Sequence, residues 1–132
     1  MSLVDILLLY VFFRIKQVFG DFILQPGWMA VGKCKAFDQG GLKPLLAHAA
    51  VHSVLTLLIM LFFAANLWWL AAVDFVVHST IDKLKALAVN RAGLAYKDNF
   101  YWWLFGLDQE AHNFTHLVYI VLVVTHSGAV LN

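Results

Sequence analysis

Four apolar segments of this chain are each close to the length of a bilayer crossing, yet each carries polar or ionisable residues at intervals of four. The segments cover about residues 4–24, 45–63, 68–87 and 100–124. A helix needs roughly 20 consecutive apolar residues to traverse the hydrocarbon core. In lipid such a segment must be helical, because no water is present to satisfy bare backbone groups. Composition agrees, with 62% hydrophobic and 13% charged residues, where a soluble domain is about a quarter charged. The expectation is an all-α fold: an integral membrane four-helix bundle forming one transmembrane domain over residues 1–132.

Local signals divide the segments. Pro26-Gly27 ends the first, since proline cannot continue a helix and glycine tolerates the turn. The stretch Trp28 to Lys43 is more polar and has room for a short interfacial helix, at Trp28–Phe37, between helices one and two. Pro44 suits the first turn of the second helix. Ala64-Ala65-Asn66-Leu67 reads as a tight turn, and Asn90 to Asn99 as a second polar connection. Trp28, Trp68, Trp69, Trp102 and Trp103 all fall near segment ends, where an interfacial aromatic belt would sit. The first segment lacks a basic leader and a small-residue cleavage site, so it is expected to remain as a helix. Cys34 stands alone, which excludes an intrachain disulfide. A net charge of +1 implies no nucleic-acid partner.

The basic residues are unevenly placed. Lys33, Lys35, Lys43, Lys83, Lys85, Arg91 and Lys97 lie in or beside the two long connections. The termini and the Asn66 turn carry none, so the positive-inside rule puts both connections in the cytoplasm and both termini outside. Arg14 and Lys16 lie within helix one and must snorkel or line a wet cavity.

The intervals of four place each polar set on one helical face. Helix one carries Gln17, Asp21 and Gln25; helix two His48 and His52; helix three Asp74, His78 and Asp82; helix four Asp108, His112 and His116. In an up-and-down topology Asp21, His48, His52, His78, Asp82, Asp108 and His112 share one depth, towards the cytoplasmic side. Ionisable groups inside a membrane face the bundle interior or a cavity and need compensating partners. A divalent metal ion is the simplest partner, and mixed nitrogen and oxygen donors suit Zn²⁺ first, with Mn²⁺ or Fe²⁺ as further candidates. The expected ligands are His48, His52, His78, Asp82, Asp108 and His112, holding one ion or two. Asp21 is a ligand, an acceptor for the outer N–H of a ligating His, or a salt-bridge partner. Asp21 and Glu110 are the spare carboxylates for proton transfer. Arg14, Lys83, Lys85, Gln25 and Gln109 are candidates for contacting an anionic substrate. Asp74 and His116 read as members of a deeper polar network. An isolated HxxxH pair is more often a helix–helix hydrogen-bonding device than a metal site; agreement in depth among several helices is what raises the metal reading.

Taken in order, Gly20-Asp21-Phe22-Ile23-Leu24-Gln25, Trp28-Met29-Ala30 with Lys33, His48 with His52, His78 with Asp82, Lys83 and Lys85, and Asp108-Gln109 with His112 resemble the bacterial and phage membrane proteins grouped as domain of unknown function 3307. The resemblance covers nearly the whole chain. It implies a small, multi-spanning protein of the bacterial inner (plasma) membrane and carries no established activity. It also implies a His shortly before Gly20, where this chain has Arg14, Lys16 and Gln17. By motif type alone the chain is also similar to predicted membrane-bound metal-dependent hydrolases.

The leading expectation is a membrane-embedded metal-dependent hydrolase acting at the cytoplasmic leaflet on a lipid-like or phosphorylated substrate. Membrane lipid is the expected partner, and exposed aromatic faces permit a homo-oligomer. The alternative is a non-enzymatic membrane scaffold or partner-binding protein whose bundle is held by a metal or by a polar His/Asp network. An ion carrier or proton pathway needs polar residues reaching the far side, and the sequence there is apolar until Thr125-His126.

Overall fold

The computed structural model describes residues 1–126. Every regular element among them is helical. Helix α1 spans Leu3–Val18 and runs into a π turn at Phe19–Ile23; α2 spans Gly27–Gly32, α3 Leu42–Phe63, α4 Leu70–Arg91 and α5 Asn99–His126. Short 3₁₀ turns at Phe37–Gln39 and Ala65–Leu67 join α2 to α3 and α3 to α4.

The ends follow local chemistry. Ser2 caps α1 in a capping box with Asp5, satisfying two of its orphan N–H groups reciprocally. The expected interfacial helix is shorter than its apolar stretch: α2 closes at Gly32, and the chain re-forms only a 3₁₀ turn beyond Ala36. The Ala64–Leu67 turn is present.

The four long helices pack in cyclic order, α1 on α3, α3 on α4, α4 on α5 and α5 back on α1, while α2 lies against α3. Two interiors result. Leu9, Phe13, Ile59, Met60, Leu67, Leu70, Tyr119, Ile120 and Val123 form an apolar core at one end. The other end is filled by buried polar groups: among the described residues, eleven buried ones are polar or charged, including His48, His52, Asp74, His78 and His116, each at most 1% exposed. Meanwhile Leu3, Val11, Phe22, Val54, Phe62, Val76, Leu107, Phe114 and Val121 point outwards. Buried polar groups and an extensive exposed apolar surface thus depart from the usual distribution, apolar within and charged without.

Four segments were expected to cross a membrane. Among the described residues, only α3 is long and apolar enough to do so by length and composition alone. The π turn cuts α1 to 16 residues, and α4 carries Asp74, Asp82, Lys83, Lys85 and Arg91.

Candidate metal centre

The residues expected to share one depth do converge. Asp21, His48, His52 and His78 present one ligand atom each within 4.8 Å of one another, and so do His78, Asp82 and His112. Four helical elements supply them: the π turn gives Asp21, α3 gives His48 and His52, α4 gives His78 and Asp82, and α5 gives His112.

The π turn aims Asp21. Its widened register, closed by Leu24 N–H donating to the Phe19 carbonyl at 2.8 Å, is the irregularity that recurs at functional sites in helices. Gln17 Nε2 donates to Asp21 Oδ2 at 2.7 Å, as an interval of four predicts, but Gln25 Nε2 reaches only the Asp21 backbone oxygen, at 2.9 Å. Asp21 Oδ1 is then left facing two imidazoles, 3.2 Å from His48 Nε2 and 3.3 Å from His52 Nε2. Gly20 makes room for this: a Cβ there would lie 2.3 Å from the His52 ring.

His48 Nε2 is the hub. It lies 3.2 Å from His78 Nε2 and 3.3 Å from Asp82 Oδ2. Ligand bonds of about 2.0–2.1 Å in a tetrahedral site place neighbouring donors about 3.3 Å apart, a separation these atoms match. The imidazoles of His52, His78 and His112 stack in a column, with centroids 3.7 and 4.0 Å apart. His112 Nε2 lies 3.5 Å from Asp82 Oδ1 and 3.7 Å from Asp108 Oδ1. Three buried histidines have an Nδ1 atom without a hydrogen-bond partner among the described residues: His48, His52 and His78. Buried polar atoms are rarely left so. His78 belongs to both groups.

The other candidates fall into separate places. Asp108 accepts from Lys85 at 3.3 Å and belongs to neither group of ligand atoms. Asp108, Lys85, Gln25 and Gln109 line a cleft of ≈ 310 Å³ that also reaches Asp21 and Lys33. Gln109 Nε2 ties the two carboxylates together, 3.3 Å from Asp21 Oδ2 and from Asp108 Oδ2. Glu110 is exposed and accepts from Asn113 at 3.2 Å, so the structure does not bring it to the cluster. Lys83 donates to the Lys35 carbonyl at 3.1 Å and sits over the Phe37 ring, also away from it.

Arg14 belongs to the deeper network rather than to the cleft. Its guanidinium meets His116 Nδ1 at 2.9 Å. Lys16 Nζ meets His116 Nε2 at 3.0 Å and Asp74 Oδ2 at 2.6 Å, and Thr56 donates to the same oxygen at 2.7 Å. This answers how two basic residues are held inside helix one.

Sequence reasoning missed Lys33 as a member of the site. Its ammonium stands 2.9 Å from both His48 Nε2 and Asp82 Oδ2. It projects from the C-cap of α2, outside every interval of four, so no periodicity marks it.

Fold and site together define a small all-helical protein with a buried His/Asp cluster able to hold a metal ion. The family described as a protein of unknown function, DUF3307, matches residues 8–132, and the chain belongs to it. Comparison with curated proteins and with solved structures gives no match.

Proposed function

We propose that this protein is a multi-pass membrane protein with a single divalent metal centre at Asp21, His48, His52 and His78, acting as a metal-dependent hydrolase on lipid-like or phosphorylated substrates at the cytoplasmic leaflet. The observation that carries the reading is the convergence of four ligand atoms from three helical segments to within 4.8 Å of one another, beside a cleft that Asp21 lines. The unusual distribution of polar and apolar residues supports the bilayer. All four long helices then cross it, with Lys16 of α1, Asp74 and Asp82 of α4 and Asp108 of α5 turned inwards.

Zn²⁺ suits three imidazoles and a carboxylate best. A bound ion of this kind lowers the pKa of a coordinated water and polarises an ester or phosphoester oxygen. The protein's own residues supply the rest. Lys85 lines the cleft and places a positive charge where an anionic headgroup enters. Tyr96, Tyr101 and Phe105 give it an apolar wall suited to the glycerol or acyl portion of an amphiphile. Asp108 lines the same cleft outside the ligand groups and is the carboxylate placed to take up a proton.

The test is metal content by mass spectrometry on detergent-purified protein beside His78→Ala. One equivalent in the parent and less than about a tenth in the variant is expected. The loaded parent is then offered phospholipids, lipid phosphates and carboxylic esters, and turnover should stop on chelation. A folded parent that neither contains nor takes up metal would sink the reading. A loaded parent without turnover would leave a structural metal that contributes folding free energy.

A further inference from the structure

Lys33 occupies a position that a metal ion also needs. His48 Nε2 has one lone pair. An ammonium only donates, so the imidazole nitrogen 2.9 Å from Lys33 Nζ must be accepting. The same nitrogen lies among Asp21 Oδ1, His78 Nε2 and Asp82 Oδ2, at 3.2, 3.2 and 3.3 Å. With two carboxylate oxygens and a lone pair facing each other, the hub requires a cation, and Lys33 supplies one. An ammonium and a divalent ion cannot share that lone pair, and their charges repel.

We propose that Lys33 is a resident counter-cation of the metal-free protein, which a divalent ion must displace in order to bind. This rests on the metal-centre reading above. The displaced side chain has somewhere to go: Lys33 already lines the cleft, its side chain is only 12% exposed while it is docked, and it hangs from the end of a six-residue helix. The device holds the cluster together before metal arrives, preventing two buried carboxylates from facing each other uncompensated. It also makes release of metal easier, because the ammonium is tethered beside the site it vacated.

The experiment is a Co²⁺ titration of detergent-purified, metal-stripped protein, comparing the parent with Lys33→Met and Lys43→Met. Lys33→Met keeps the length of the side chain without its charge and should bind Co²⁺ at least tenfold more tightly. Lys43→Met removes an exposed charge outside the cluster and the cleft and should bind within about threefold of the parent. Equal or weaker binding by a folded Lys33→Met overturns the proposal. A parent and variant that both refuse Co²⁺ overturn the metal centre itself, which is a separate failure. A measurement on the parent covers the case of a variant that does not fold. Amine acylation read by peptide mass spectrometry should label Lys33 several-fold more after Co²⁺ is added, with Lys35 and Lys43 unchanged. Unaltered Lys33 labelling in protein shown to bind Co²⁺ overturns displacement.

Discussion

At the scale of single residues, the site depends on one absent side chain as much as on those present. Gly20 precedes Asp21 in the π turn, and the His52 ring lies where its Cβ would be, at 2.3 Å. His52 is fully buried and stacked on His78, so it has little freedom to retreat. Gly20→Ala is therefore expected to push the His52 ring or the π turn outwards. Co²⁺ or Zn²⁺ affinity should fall by at least tenfold, about 1.4 kcal/mol, with helix content by circular dichroism unchanged. Affinity equal to that of the parent would mean that His52 contributes nothing to the centre. Glu110 illustrates the opposite case. Two positions beyond Asp108 on a helix turns a side chain by about 200°, so a residue adjacent in sequence to the site faces away from it.

Between elements, the intervals of four were a sound guide wherever the helix is regular. His48 with His52, His78 with Asp82, and Asp108 with His112 each share a face, and topology alone brought their depths together. The guide failed where register changes or where the chain leaves a long helix. The π turn alters which groups Asp21 and Gln25 meet, and nothing in the residue pattern announces a widened turn. Lys33 arrives from α2, whose placement depends on a tertiary contact: Gly32 lies against Pro44, and a Cβ there would meet the proline ring at 2.5 Å. A proline ring cannot rotate away, so Gly32→Ala should lift α2 from α3, at a cost of about 1–3 kcal/mol. Trypsin cleavage at Lys33 and Lys35 is expected to accelerate several-fold in that variant, with the four long helices retained. Cleavage at the parent's rate would show that this contact does not hold α2.

At the scale of the whole molecule, polarity changes along the bundle axis. The His/Asp cluster lies at one end, the Lys16–Asp74–His116 network one turn further in, and the hydrophobic core with Tyr119 beyond that. Two groups of exposed tryptophans bracket this gradient, Trp28, Trp102 and Trp103 towards the cluster and Trp68 and Trp69 at the α3–α4 turn. Helix α3, at 22 residues, is about 33 Å long, which matches a hydrocarbon core of about 30 Å. On the proposed membrane reading the cytoplasmic face lies at the cluster end, where the basic connections are. Cys34, the only cysteine, reports on that orientation directly, because it is exposed in the connection between α2 and α3. A membrane-impermeant maleimide should label it in inside-out inner-membrane vesicles and leave it unlabelled in intact spheroplasts until they are permeabilised. Labelling in spheroplasts would invert the topology and place the cleft on the outer leaflet, where a cytoplasmic phosphorylated metabolite could not reach it. Recovery of unlabelled protein in the soluble fraction after lysis would remove the bilayer altogether. The exposed apolar surface would then need another partner, and a second copy of the chain is the first to test.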